Sequence, residues 1–212
     1  MARLIGVAAL FTGAGLLGFL LIKIPLPLSV AGCGALAAGL VVFAWRRSVP
    51  AERRRMRTEA AAGLTAGLAA VLVYDVIRIG LAGLDPSPYD PLEAIRGFGR
   101  AFIGESAERG SQLAVGFVFH LVTGTLFGLG YVSLAANPRR ARRRSWVFRG
   151  IAWALFLEAF QLAFYPEWLG IVFVREFTVI ATAAHISYGI VLGLVAREML
   201  LRSDRRVLWQ TP

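Results

Sequence analysis

The sequence predicts an all-α, polytopic membrane protein with six transmembrane helices. Three observations lead there. Six stretches of about twenty residues carry almost no charge, the length a helix needs to cross a bilayer core. Apolar residues make up 57% of the chain and the mean hydropathy is +0.64, which leaves no soluble unit over. The arginines behind the net charge of +10 collect in blocks between and after those stretches. Such blocks are topology signals that face anionic lipid. They also exclude nucleic-acid binding, because no basic domain with interleaved aromatics accompanies them.

Span one takes residues 4–22 and stops at Lys23 and the Pro25/Pro27 turn. Only Arg3 precedes it, and its apolar run flows into the next, so it reads as a retained helix rather than a cleaved leader. Span two takes residues 28–45, and residues 46–58 follow as a basic loop with Arg46, Arg47, Arg53, Arg54, Arg55 and Arg57. Span three takes 60–82 and span four 113–135, ahead of a second basic block of Arg139, Arg140, Arg142, Arg143 and Arg144. Span five takes 146–165, a loop 166–175, and span six 177–200; the tail adds Arg202, Arg205 and Arg206. Both basic loops and the tail fall on one side, which predicts both termini in the cytoplasm. Trp45, Trp146, Trp168 and Trp209 lie near span ends, where interfacial aromatics belong. Cys33 sits alone in an apolar stretch and reads as a small packing residue.

The loop after span three is more than a linker. Asp90-Pro91-Leu92-Glu93 resembles a helix start, with a capping Asp, a Pro at the first helical position and Glu near the dipole. Leu92, Ile95, Phe98, Phe102 and Ile103 then share one face, which predicts a short extracytoplasmic amphipathic helix on the outer surface or capping the bundle. The chain divides into a hairpin with its basic loop (1–58), a four-helix core (59–202) and a cytoplasmic tail (203–212).

The core reads as a duplication of two hairpins, spans three and four against spans five and six. Gly67 is followed by Asp75 and Arg78, and Gly150 by Glu158 and Gln161, at identical spacings. His120, Gly124 and Gly128 are matched in the same way by His185, Gly189 and Gly193. The two units run in the same membrane direction, so a pseudo-two-fold axis along the membrane normal would relate them. At 1.5 Å rise per residue, Asp75, Glu158, His120 and His185 all lie roughly 10 to 13 Å from the outer ends of their helices. Arg78 and Gln161 lie about one turn above.

Ionisable groups at that depth cost several kcal/mol unless they face inward and pair, so this set is the candidate site. The glycines below each histidine permit close helix approach. Three readings of the layer stay open. It is interhelical glue in a structural or accessory subunit. It holds a transition metal on His120, His185, Asp75 and Glu158, or relays protons or cations. Or His120 and His185 hold a b-type haem in a redox subunit. Arg78 opposes a cation site, and no Glu-x-x-His pair of the di-iron kind is present. Ser187, Tyr188, Thr123 and Thr125 near the histidines form no nucleophile elbow or triad pattern, so the sequence leans away from an enzyme. Spans one and two, with Gly13, Gly15, Gly32, Gly34 and Gly39, read as a packing hairpin that would dock on a partner membrane subunit or a second copy.

Val115-Gly116-Phe117-x2-His120-x3-Gly124-x2-Phe127 and Ala184-His185-x2-Tyr188-Gly189-x2-Leu192-Gly193 resemble an uncharacterised family of bacterial multi-pass inner-membrane proteins, one defined as a domain of unknown function. The likeness covers about residues 60–200, including Asp75, Phe98-Gly99 and Gly104, and leaves out the first two spans. It implies a location in the bacterial inner membrane and no particular activity.

Overall fold

In the computed structural model, which describes residues 2–135 and 143–208, the described residues form helices and no strand. The elements are α1 (Ala2–Ala8), α2 (Phe11–Ile22), α3 (Leu26–Arg47), α4 (Pro50–Leu84), α5 (Glu93–Ile103), α6 (Arg109–Leu134), α7 (Arg143–Leu169) and α8 (Val174–Leu208). Six of the helical stretches are long and apolar enough to cross a membrane, with α1 and α2 sharing the first. Large apolar side chains on the outside, such as Leu36, Val76, Val118 and Val179, then face lipid instead of water.

Local chemistry sets the boundaries. At the α1/α2 break the Leu10 amide turns to the Val7 carbonyl at 3.1 Å. The α2 helix ends where Lys23 takes a left-handed conformation (φ 62°) and the Ile24 amide reaches back to Gly18. Pro50 does not interrupt a loop. It occupies the first turn of α4, where its missing N–H costs nothing. Residues 50–58 are therefore helix, and the basic loop expected over 46–58 shrinks to a short connection. At 35 residues α4 is roughly 50 Å long, well beyond a hydrocarbon core, so its arginines stand clear of the apolar length. Arg53 and Arg57 lie over the Trp45 ring, and Arg53 Nε donates to the Trp45 carbonyl at 3.0 Å. The α8 helix likewise runs on into the expected tail. Pro166 lies in the last turn of α7, where it removes the backbone hydrogen bond to the Leu162 carbonyl close to the helix end. Arg139, Arg140, Arg142 and Trp209 lie outside the described residues, as do the side chains of Arg143, Arg144, Arg205 and Arg206.

Helices α6, α4, α8 and α7 pack in that order as an arc around the main core. Within each hairpin, α4 with α6 and α7 with α8, contact is backbone on backbone. A Cβ on Gly128 would stand 2.4 Å from the Gly67 Cα, and one on Gly150 would stand 2.1 Å from the Gly189 carbonyl oxygen. Trp146, read from its position near a span end as an interfacial aromatic, is packed inside the protein. It is 3% exposed, it backs onto Gly193, and its carbonyl accepts the Tyr131 hydroxyl at 3.0 Å. The α1–α3 hairpin attaches to α6 chiefly through α1, leaving much of α3 open on its outer side.

Helix α5 is amphipathic, and its apolar face is buried in protein. A Cβ on Gly99 would collide with the Gln112 backbone, and one on Gly116 with the Ile95 carbonyl. It therefore packs into the α6 groove and does not simply lie on a surface. Gly104 ends α5 at φ 89°, a conformation that favours glycine, and Gln112 Nε2 donates to its carbonyl at 2.9 Å.

Candidate functional site

Asp75 and Arg78 are one turn apart on the buried face of α4, and Arg78 donates to Asp75 Oδ1 at 2.9 Å. His120, from α6, brings Nε2 to the same oxygen at 3.0 Å. On the other side of the arc, Glu158 of α7 faces His185 of α8. His185 Nδ1 lies 2.5 Å from Glu158 Oε2 and 3.0 Å from the Ala181 carbonyl. The hydrogen-bond geometry is satisfied at Ala181, so the Glu158 approach is a close electrostatic contact off the N–H direction. Glu158 Oε1 accepts the Thr182 hydroxyl at 3.3 Å. Asp75, Arg78 and Glu158 are all buried, at 5%, 4% and 2% exposure. Among the described residues Asp75 Oδ2, Arg78 Nε and Glu158 Oε2 still have no hydrogen-bond partner. Groups buried in this state are costly.

The structure thus brings the sequence-derived residues together as two carboxylate–imidazole pairs. Tyr74 joins them: its ring centroid lies 5.7 Å from that of His120 and 4.8 Å from that of His185. Arg78 lies over the same ring at 5.2 Å, and the Gln161 side chain faces the Tyr74 hydroxyl. Tyr74 was missed in the sequence, although an aromatic residue directly before a buried acid is a readable signal. A metal ion fits this arrangement poorly. No three His, Cys, Asp or Glu side chains among the described residues converge as a ligand set. A haem between the histidines fits no better, since His120 spends Nε2 on Asp75 and the Tyr74 ring packs against both imidazoles. Ser187 donates to the Ala183 carbonyl one turn back, as hydroxyls in apolar helices do.

Beside the layer a cavity of about 340 Å³ opens. Tyr74, Arg78, His120, Gln161 and His185 form its polar end, and Thr123 adds a hydroxyl without a partner. The walls are apolar: Leu16, Leu17 and Leu20 from α2 face Phe156, Phe160 and Phe164 from α7. Ala14, Phe156 and Phe160 are themselves exposed, so the gap between α2 and α7 gives onto the lipid-facing surface. Toward α5 the cavity is roofed by aromatics, with Phe98 against Phe119, Tyr165 and Trp168, and Phe19 edge-on to Trp168. Asp75 and Glu158 stand behind the histidines and do not line it. Nothing in the sequence flagged α2 as a wall.

The approach to α5 carries its own charge cluster. Arg96 pairs with Glu93 and with Asp90 (2.5 Å), and Arg100 pairs with Glu93 (2.7 Å). Burial alone would raise both carboxyls, but the Leu92 amide and Arg96 bring Asp90 below its ordinary value, and Arg96 and Arg100 do the same for Glu93. Burial pushes the neighbouring Tyr89 phenol up to about 12.

Within each hairpin the contacts correspond. Acid faces histidine, and a Cβ on Gly128 would stand 2.5 Å from the Gly63 carbonyl oxygen as one on Gly193 would stand 2.5 Å from that of Trp146, at matching positions of the two units. Between hairpins they differ. Helices α4 and α8 pack extensively, whereas α6 and α7 meet near the arginine-rich end, through Tyr131 with Trp146 and Trp153 and through Arg149 with the Ala135 carbonyl.

Fold and site together define a multi-pass helical membrane protein with paired ionisable groups buried in its core. The chain belongs to the family of unknown function DUF6789, whose model matches residues 54–207. That match takes in α4 to α8 and leaves the α2 wall of the cavity outside it. No curated protein and no solved structure matches the chain.

Proposed function

We propose that this protein is an accessory membrane subunit that binds a lipid-soluble amphiphile, with its polar end against the histidine layer and its tail leaving between α2 and α7. The observation that carries this reading is the cavity: it joins buried, incompletely satisfied polar groups to a gap in the lipid-facing wall. Its volume lies at the low end of the ~300–1,000 Å³ of small-molecule sites, with the expected apolar walls and few convergent polar groups. The Asp75 carboxylate holds the His120 imidazole from behind, as outer partners do in tuned sites, while the Ala181 carbonyl orients His185 beside Glu158. A purely structural layer would leave the cavity and the free Arg78 Nε without a role.

In the same reading the chain comprises an N-terminal hairpin, a duplicated four-helix core and a tail, with the junctions near 58 and 202 falling inside α4 and α8, and it sits in a bacterial inner membrane with both termini inside. The matched contacts within each hairpin support the duplication. A strict two-fold would close α6 on α7 as α4 closes on α8, and the cavity lies on the side that stays open. The arginines at the α3/α4 junction support the orientation and would meet anionic headgroups. With Cys33 replaced, a cysteine at Glu105 should react with an impermeant maleimide from outside and one at Arg54 only after permeabilisation; the reverse pattern would invert the topology.

Native mass spectrometry tests the binding. Protein extracted in mild detergent should carry a small apolar adduct, and Ala14→Trp, which fills the mouth from an exposed position, should remove it while helix content is unchanged. An adduct that survives Ala14→Trp would place the ligand elsewhere.

A further inference from the structure

We infer that the amphiphile has an uncharged, flat head carrying carbonyl oxygens, which makes it a lipid quinone by chemical class. This rests on the binding reading above and adds the identity of the head.

Charge decides first. Arg78 is already matched by Asp75 at 2.9 Å, and Glu158 stands behind His185. A phosphate or carboxylate head would enter a pocket backed by two carboxylates with no unmatched cation, and an ammonium head would meet Arg78. The anion would lose its hydration without a counter-charge, and the cation would face Arg78 in the lining with Glu158 set back behind His185. The head is therefore neutral.

Hydrogen bonding decides next. Among the described residues that line the cavity, the buried donors without a partner are the Arg78 Nε–H and the Thr123 hydroxyl, both just behind its surface. Gln161 adds an amide; His185 spends its Nδ1–H on the Ala181 carbonyl, which leaves Nε2 of the neutral ring an acceptor outside this donor set. Arg78 and Thr123 supply donors, while the acceptor oxygens of Asp75 and Glu158 stand back from the cavity. A ligand that offers acceptors satisfies this set, and ring carbonyls are acceptors.

Shape decides last. Tyr74, Phe119, Phe156, Phe160 and Phe164 line the cavity, and aromatic faces and edges of this kind favour a flat ring between them. The volume takes such a ring and the first part of a tail, and the rest passes through the gap into the bilayer.

The test is equilibrium binding of labelled decylubiquinone to the full chain in nanodiscs, with unlabelled decylbenzene and decyl phosphate as competitors. One saturable site is expected, with both competitors at least tenfold weaker than unlabelled decylubiquinone. Thr123→Val and Gln161→Leu should each weaken binding about five- to tenfold while elution and helix content stay as in the parent. Ala14→Trp should abolish it. Decylbenzene competing as well as the quinone, or both polar variants binding normally, would overturn the quinone head while the cavity reading stands. Decyl phosphate competing best would assign an anionic head instead. Quinone binding that survives Ala14→Trp, or the absence of any saturable site, would overturn the cavity reading itself.

Discussion

Removing Asp75 should cost far more than a hydrogen bond. The carboxylate takes Arg78 at 2.9 Å and His120 at 3.0 Å on a single oxygen, in surroundings where Arg78 is 4% exposed. Asp75→Ala leaves the guanidinium as a buried charge without its counter-ion. Breaking such a pair from one side costs about 3–5 kcal/mol. Ordinary hydrogen bonds between membrane helices are worth only about 0.6–1.7 kcal/mol in comparable measurements, so the two expectations separate cleanly. Asp75→Leu with Arg78→Met removes both charges at similar volume. It should recover most of that loss, leaving a deficit near the 1–3 kcal/mol of an unsatisfied imidazole. The assay is reversible unfolding in mixed dodecylmaltoside and dodecyl sulfate micelles, followed by circular dichroism. If Asp75→Ala costs under about 1 kcal/mol, or the double variant is worse than the single one, Arg78 is not held by Asp75 in the way described.

Two further outcomes follow from the geometry. Gly150→Val should prise α7 from α8, since a Cβ there meets the Gly189 carbonyl oxygen at 2.1 Å, whereas Gly32→Ala faces open space and should be neutral or stabilising; thermal melts in detergent compare them. Asp90 and Glu93 titrate below their ordinary values, so the support they give α5 is full above the ordinary carboxylate value of about 4 and is lost as pH falls through the lowered folded values. Hydrogen exchange should show α5 loosening at low pH ahead of α4 and α8, and Arg96→Met should weaken that dependence; a uniform acid response across the helices would contradict the assignment.

The six spans were legible because each is a long apolar run, and periodicity needs no tertiary help at that length. The acids and histidines stood out because charge is scarce in such runs. The ends were harder. The arginines of residues 50–58 look like loop, yet they continue α4, because a helix that leaves the membrane keeps its own hydrogen bonds whatever its side chains meet. Trp146 looked like an interfacial anchor, but the small Gly193 opposite admits it to the core. Tyr74 was hidden among apolar neighbours, and only packing reveals that it joins two histidines 65 residues apart in the chain. The cavity was not legible at all. Its walls come from α2 and α7, which share no motif, and it exists because α6 and α7 part where α4 and α8 do not.

An electron cryomicroscopy structure of the protein in a lipid nanodisc tests the central claim most directly. The account predicts His120 within hydrogen-bond reach of Asp75, α2 and α7 standing apart at Ala14 and Phe156, and elongated density running from Arg78 and Thr123 out through that gap. Helices α6 and α7 packed along their whole length, with no space between α2 and α7, would contradict it.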